Sequence, residues 1–251
     1  MSLINPNKKY KKLVTSGCSF TQGHYQGEEA AWGYQLSQLL GCEHVNRGSG
    51  GSSNNFILHK IIKYCESNDM TDCCVGIQLS ERSRREYWLK DKGRYTTING
   101  AAISDEFYQL GGLEESHAEF LNKNQEFFHE IWFDDSENAL RTIQTIILAK
   151  SYLLSKNIDF IIFEGIGNLL DTEHKIVSSY NGDIDEGPLV RNDYKTKLLD
   201  DDHIYKKYPN MMPFMFNHEL FNDDNGRHPN IEFVKWWVNE MYDYLKEKNN
   251  V

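Results

Sequence analysis

The sequence predicts an α/β fold, a three-layer α/β/α sandwich with a mostly parallel central sheet. Three observations predict it. Short apolar runs suited to strands alternate with amphipathic helical stretches from one end of the chain to the other. The clearest of these runs, Cys73 to Leu79 and Asp159 to Phe163, are apolar almost throughout and lack in–out alternation, the pattern of strands covered on both faces. And 251 residues are enough for one large, well-filled core. We expect a single domain over 1–251, interrupted by two long insertions at about 88–130 and 170–222.

The elements follow in order. Lys12 to Ser16 reads as a short buried strand that ends in a Gly-containing turn, Gly17-Cys18-Ser19. Ala31 to Leu40 has helical spacing through Trp32, Leu36, Leu39 and Leu40, with Gly41 as its stop. His44-Val45-Asn46 is a strand running into a Gly/Ser loop, Arg47 to Asn54. Phe56 to Cys65 is a helix with Phe56, Ile57, Ile61 and Ile62 on its apolar side, followed by the strand Cys73 to Leu79. Trp88 to about Glu130 has no clean period and reads as an insertion, partly helical. Ser136 to Ser155 is a strong helix with Ser136 as N-cap and a buried stripe of Leu140, Ile143, Ile147, Leu148 and Leu154. After the strand Asp159 to Phe163, the acid-rich stretch Asp171 to Asn222 is irregular, broken by Pro188, Pro209 and Pro213. Ile231 to Lys246 closes the chain as an amphipathic helix carrying Phe233, Val234, Trp237, Met241 and Leu245 in one register.

Composition excludes some functions. The formal net charge is −10, and an acidic chain repels phosphate backbones, so we expect no nucleic-acid partner. No segment approaches the roughly 18 apolar residues of a membrane span, so we expect no membrane partner and a cytoplasmic location. The five cysteines (Cys18, Cys42, Cys65, Cys73, Cys74) form no Cys-x-x-Cys pair, which argues against structural zinc and fits free thiols in a reducing compartment. Arg82, Arg84 and Arg85 form a basic cluster after a strand. They are either solvated or placed to hold an acidic substrate group at a pocket rim, since guanidinium groups pair bidentately with carboxylate and phosphate.

Ligands of parallel sheets bind at the carboxyl ends of the strands. Ser19, the Gly/Ser loop and Ser80 all fall at such ends. A serine hydroxyl becomes a nucleophile when a base takes its proton. Histidine is the usual base because its pKa lies near working pH. The developing oxyanion needs preorganised donors, commonly backbone N–H groups in Gly-rich turns. Ser19 can attack, His228 in Arg227-His228-Pro229 can act as base, and the amides of Ser19 and Gly51 can receive the oxyanion.

These residues, in this order, resemble the SGNH (GDSL-type) hydrolases, whose flavodoxin-like sandwich agrees with the element pattern. The family's Gly-x-Ser nucleophile block is similar to Gly17-Cys18-Ser19-Phe20-Thr21, with Cys where Asp is common. Its Asn-x-Gly-x-x-Gly block resembles Asn46-Arg47-Gly48-Ser49-Gly50-Gly51, and its Asp-x-x-His block resembles Asn225-Gly226-Arg227-His228, followed by Pro229. The resemblance implies Ser19 as nucleophile, His228 as base and Gly51 as an oxyanion donor. Two positions depart. The Asn of the family's third block is replaced by Ser80-Glu81-Arg82; Ser80 could donate its hydroxyl instead, with Asn54 and Asn168 as further candidates. The carboxylate three residues before the histidine is Asn225 here, so either Asp224, one residue further away, or Asn225 itself orients the ring. Arg84 is placed with the substrate-binding residues.

The resemblance implies a serine esterase that removes a small O-acyl group, such as acetyl, from a sugar or another polar metabolite, with no metal or organic cofactor. Its partner would be a small-molecule or glycan ester. The alternatives are a catalytically impaired binding module of the same fold and an acyltransferase.

Overall fold

The computed structural model describes residues 3–23, 27–82, 84–89, 94–99, 135–166, 201–205, 211, 215, 221–222 and 228–250. Asp224, Asn225, Asn168 and most of both expected insertions lie outside these residues. The elements are β1 (Lys12–Ser16), α1 (Ser19–Gln22), α2 (Trp32–Leu40), β2 (Glu43–Asn46), α3 (Asn54–Ser67), β3 (Cys73–Leu79), β4 (Arg84–Leu89), β5 (Arg94–Asn99), α4 (Asp135–Ser155), β6 (Asp159–Glu164), β7 (Phe221–Asn222), β8 (His228–Pro229) and α5 (Ile231–Asn249).

Four strands form one sheet in the order β2-β1-β3-β6, and every pairing is parallel. Beyond β6 the sheet is extended by two isolated parallel bridges, Leu3 with Phe160 and Ile162 with Ile204, the second closed by Ile162 N–H to His203 O (2.8 Å) and Tyr205 N–H to Ile162 O (2.9 Å). From β1 the chain goes outward to β2, then crosses back to β3 on the other side. The reversal leaves a crevice at the carboxyl ends of β1 and β3, where open parallel sheets bind their ligands. Ser19 follows β1 and Ser80 follows β3, one on each side of it.

Side chains alternate across the sheet and divide the core in two. Val14, Val75, Ile77, Phe160 and Ile162 face α3 and α4, where they meet Ile57, Ile61, Ile143, Ile146 and Leu153. Leu13, Cys74, Ile161 and Phe163 face α2 and α5, where they meet Trp32, Leu36, Phe233, Trp237 and Met241. Each large side chain taken fully out of water here contributes about 1.5–3 kcal/mol before entropy is counted. Gly76 in the middle of β3 makes room for Trp32, since a Cβ on it would stand 2.5 Å from the indole ring.

The expected strands and the helices α2, α3 and α5 are present, with ends shifted by a few residues. In α5 the Asn230 side chain caps the helix by accepting from Phe233 N–H (2.8 Å). Four expectations need correction. Ser19, read as the end of a Gly-containing turn, begins one helical turn, α1, that ends on Gly23 in the left-handed region (φ +74°). The stretch around Trp88, read as irregular and partly helical, contains an antiparallel hairpin, β4–β5, which begins earlier, at Arg84. Helix α4 begins at Asp135, so Ser136 lies inside its first turn and is not its cap. Its buried stripe is also rotated from the expected one. Ala139, Ile143, Ile146, Ala149 and Leu153 are buried, whereas Ile147, Leu148 and Leu154 are exposed. The rotation has a physical reason: Asn138, Thr142 and Thr145, polar and buried, share the inward face and hydrogen-bond there.

Candidate active site

Ser19 is the first residue of α1, with Cys18 as the preceding cap position. Its amide belongs to the first turn, whose N–H groups no intrahelical carbonyl can satisfy. Two backbone bonds close the turn, Thr21 N–H and Gln22 N–H to Cys18 O at 3.1 and 3.0 Å. Beneath it lies a buried polar chain. Trp32 Nε1 donates to Thr21 Oγ1 (2.9 Å), Thr21 Oγ1 donates to Gln78 Oε1, and Gln78 Nε2 donates to Cys18 Sγ (3.4 Å). Gln78 is the one long polar side chain in the otherwise apolar β3, and it is fully buried. It fits because Gly17 and Gly165 flank it. A Cβ on Gly17 would stand 2.0 Å from Thr21 Oγ1 and 2.7 Å from Gln78 Oε1, and one on Gly165 would stand 1.6 Å from Gln78 Nε2.

The Gly/Ser loop wraps this turn. Asn46 Nδ2 donates to Thr21 O (2.9 Å), and its Oδ1 accepts from Gly48 N–H (2.8 Å). Gly48 lies against the backbone of α1, where a Cβ would meet Gln22 N at 2.6 Å. Ser49 N–H donates to Gly17 O (3.1 Å) and Gly50 N–H to Gln22 Oε1 (2.7 Å). Gly50 is the loop glycine that faces Ser19: a Cβ on it would be 3.9 Å from Ser19 Cβ. Gly51 follows in the left-handed region (φ +72°), with open space where a side chain would stand. Lys60 reaches from α3 to hold both ends of the loop, donating to Arg47 O (3.1 Å) and Ser52 Oγ (3.2 Å). Burial, with the Arg47 guanidinium nearby, pulls its ammonium down to about 8.

His228 arrives from the far end of the chain. It pairs with Asn222 in the short β7–β8 ladder, directly before the Asn230 cap of α5. Its ring stands edge-on to Phe20, the residue after Ser19, with centroids 5.6 Å apart. Thus α1 and β8 meet, and the two ends of the sequence come together at the carboxyl edge of the sheet.

The remaining expected residues lie to the other side of the crevice. Asn54 Oδ1 accepts from Ser80 N–H (2.7 Å), and its Nδ2 donates to Ser80 O (3.2 Å) and Thr142 Oγ1 (3.3 Å). Both amide hydrogens of Asn54 are therefore occupied, and it clamps α3 to the end of β3. The Ser80 hydroxyl is buried and accepts from Arg84 Nη1 (2.8 Å), which leaves its own hydrogen to donate. Arg84 also stands 3.6 Å from Glu81 Oε2. Among the described residues, no group of three His, Cys, Asp or Glu side chains is placed to hold a metal ion.

No protein-family model and no curated protein matches the chain. Solved structures do match. The psychrotrophic esterase EstA from Pseudoalteromonas sp., in a structure inhibited by monoethylphosphonate, superposes with a TM-score of 0.50 at 12% identity, covering 96% of this chain and 100% of that one. This chain has the SGNH hydrolase fold. LAE5, an α/β-hydrolase enzyme from the metagenome of Lake Arreo, Spain, superposes with a TM-score of 0.50 at 12% identity over 96% of this chain and 97% of that one. TesA does so with 0.50 at 10% identity over 94% and 99%. On this fold the Gly-Cys-Ser turn and the His-Pro pair occupy the same edge of the sheet. Sequence reasoning had not singled out Gln78, Thr21 or Gly50. For Gln78 a signal existed, one amide side chain in a strand apolar on both faces.

Proposed function

We propose that the chain is a serine hydrolase acting on esters. Ser19 attacks the acyl carbonyl, His228 takes the hydroxyl proton and returns it to the leaving alcohol, and water then releases the acyl group from Ser19. The oxyanion is received by the amides of Ser19 and Gly51, with the Ser80 hydroxyl as third donor in place of the missing asparagine. Asp224 is the carboxylate assigned to hold the imidazole. A small acyl group, such as acetyl, on a sugar or polar metabolite is the substrate class, by analogy with the fold. One observation carries the reading: the His228 ring packs on Phe20, immediately beside Ser19, although the two residues lie at opposite ends of the chain. The esterase named among the superposed structures, inhibited there by a phosphonate, supports the same chemistry.

Hydrolysis of a short-chain chromogenic ester is expected to fall by at least about 1,000-fold in Ser19→Ala. Turnover that persists in that variant refutes the mechanism. A fluorophosphonate probe is expected to label Ser19, and a folded wild-type protein that stays unlabelled would favour the binding module. An added acceptor alcohol that diverts the acyl group from water would identify a transferase.

A further inference from the structure

A second polar site lies beside the first. Between the start of α3, the strand β4 and the first half of α4 there is a cavity of about 330 Å³, within the range of small-ligand pockets. Arg82, Arg84, Arg85 and Arg141 line it, with Asn138 and Glu86 among the other wall residues. Among the described residues, three carboxylates stand by the cavity. Glu137 bridges Arg85 (3.2 Å) and Arg141 (2.8 Å), Glu81 stands by Arg84, and Glu86 accepts from Ser53 Oγ.

Two donors point to what the cavity takes. Asn138 is 1% exposed, and its Nδ2 has no hydrogen-bond partner. Its orientation is fixed, because Oδ1 accepts from Arg85 Nη2 (3.0 Å), and the flipped amide would set NH₂ against the guanidinium. Arg85 Nε, next to it, is buried without a partner as well. A buried donor left unsatisfied costs about 1–3 kcal/mol, and here two of them converge on one cavity walled by four guanidinium groups. What fits is an acceptor with several oxygens, and guanidinium groups pair bidentately with carboxylate and phosphate.

We propose that this cavity binds a small oxyanion group, a carboxylate or a phosphate ester, held by Arg85 Nε, Asn138 Nδ2 and the surrounding guanidinium groups. Asn54 ties the cavity to the end of β3, so the anion would sit on the opposite side of the crevice from Ser19. The proposal does not depend on the esterase reading, since it concerns binding alone. The anion comes either from the substrate itself or from a separate effector.

Titration calorimetry with inorganic phosphate at low ionic strength tests it, on the wild-type chain and on Ser19→Ala. Saturable one-to-one binding is expected in both. Asn138→Asp, which sets a carboxylate where the free amide stands, is expected to weaken phosphate by about 10-fold or more. Arg141→Gln, half-exposed and tolerant of change, is expected to weaken it by about 3-fold. Absence of saturable binding to the folded wild-type chain overturns the site, and so does an affinity unchanged in both Asn138→Asp and Arg141→Gln. Kinetics on a neutral acetate ester and on a succinate half-ester separate the two sources. A higher kcat/KM for the half-ester, with phosphate raising its KM, assigns the cavity to the substrate's own anion; a phosphate effect on kcat with both esters assigns it to an effector.

Discussion

The Ser19 corner and the arginine cavity sit on the same edge of one sheet and are made in opposite ways. The corner is built from backbone. Its parts are a single helical turn, a loop pressed against it, and glycines whose hydrogens let main chains approach within contact distance. The cavity is built from side chains, charged or amide-bearing, contributed by three elements that lie up to about ninety positions apart in sequence. A backbone-built site tolerates almost no added atom but carries little charge. A side-chain-built site tolerates shape changes and responds to charge and to salt. The two should therefore fail under different substitutions.

The largest effect is expected at Gly17. In Gly17→Ala the new methyl group would overlap Thr21 Oγ1 and both ends of the Gln78 contact, so the turn that carries Ser19 must move. Overpacking of this kind costs about 3 kcal/mol, and ester turnover should be lost with it while phosphate binding to the folded fraction persists. Urea unfolding and calorimetry on the same sample check both halves. Equal loss of both activities per folded molecule would show that the two regions are one unit, contrary to the contrast drawn above. Gln78→Leu comes next. It keeps most of the volume but leaves the Thr21 hydroxyl without its buried acceptor, at a cost of about 1–2 kcal/mol. Because the glycines stay, the corner should remain assembled and kcat should fall less than in Gly17→Ala. A kcat equal to that of the wild type would show that the polar chain serves stability alone.

The same contrast explains what could be read in advance. The corner was legible because backbone-built sites leave contiguous signatures: Gly17-Cys18-Ser19 after an apolar run, and Asn46 to Gly51 after the next strand. The parallel sheet was legible for a similar reason, since strands buried on both faces are apolar without alternation. The cavity was not legible as a site. Arg82, Arg84 and Arg85 stood out, but the facing wall residues Asn138, Thr142 and Thr145 lie on a helix whose apolar residues suggested the wrong face. Ile147, Leu148 and Leu154 weigh more on a hydrophobicity count than Ala139 and Ala149, yet the alanines face inward because the polar stripe beside them has partners there. Tertiary hydrogen bonds overrode the hydrophobic pattern. Likewise Asn54 read as a free donor until the fold supplied Ser80 and Thr142 to occupy it. The hairpin β4–β5 offered no in–out alternation to read, since its strands carry charged and aromatic residues on consecutive positions.

Lys60 joins the two kinds of construction, a charged side chain that holds a backbone-built loop, and it gives the smallest expected effect. Its ammonium falls from the ordinary value of 10.5 to about 8 in the folded chain. Between those values the unfolded chain binds more protons than the folded one, so stability rises with pH across this window. Buried thiols oppose it. Burial raises Cys42 and Cys65 from 9.0 to about 11 and holds Cys73 and Cys74 above 9.0 as well, so as pH climbs through the ordinary thiol range the folded chain keeps protons that the unfolded chain releases, and stability falls. From pH 8 to pH 9 both effects act together, and Lys60→Met separates them because it keeps the thiols and removes only the ammonium. One proton over one pH unit is worth at most about 1.4 kcal/mol, and solvent reaching the partly exposed ammonium reduces this to a fraction of that limit. From pH 8 to pH 9 the urea midpoint of the wild type should rise relative to that of Lys60→Met. The same slope in both proteins would remove Lys60 as its source and leave the loop held by its backbone bonds alone.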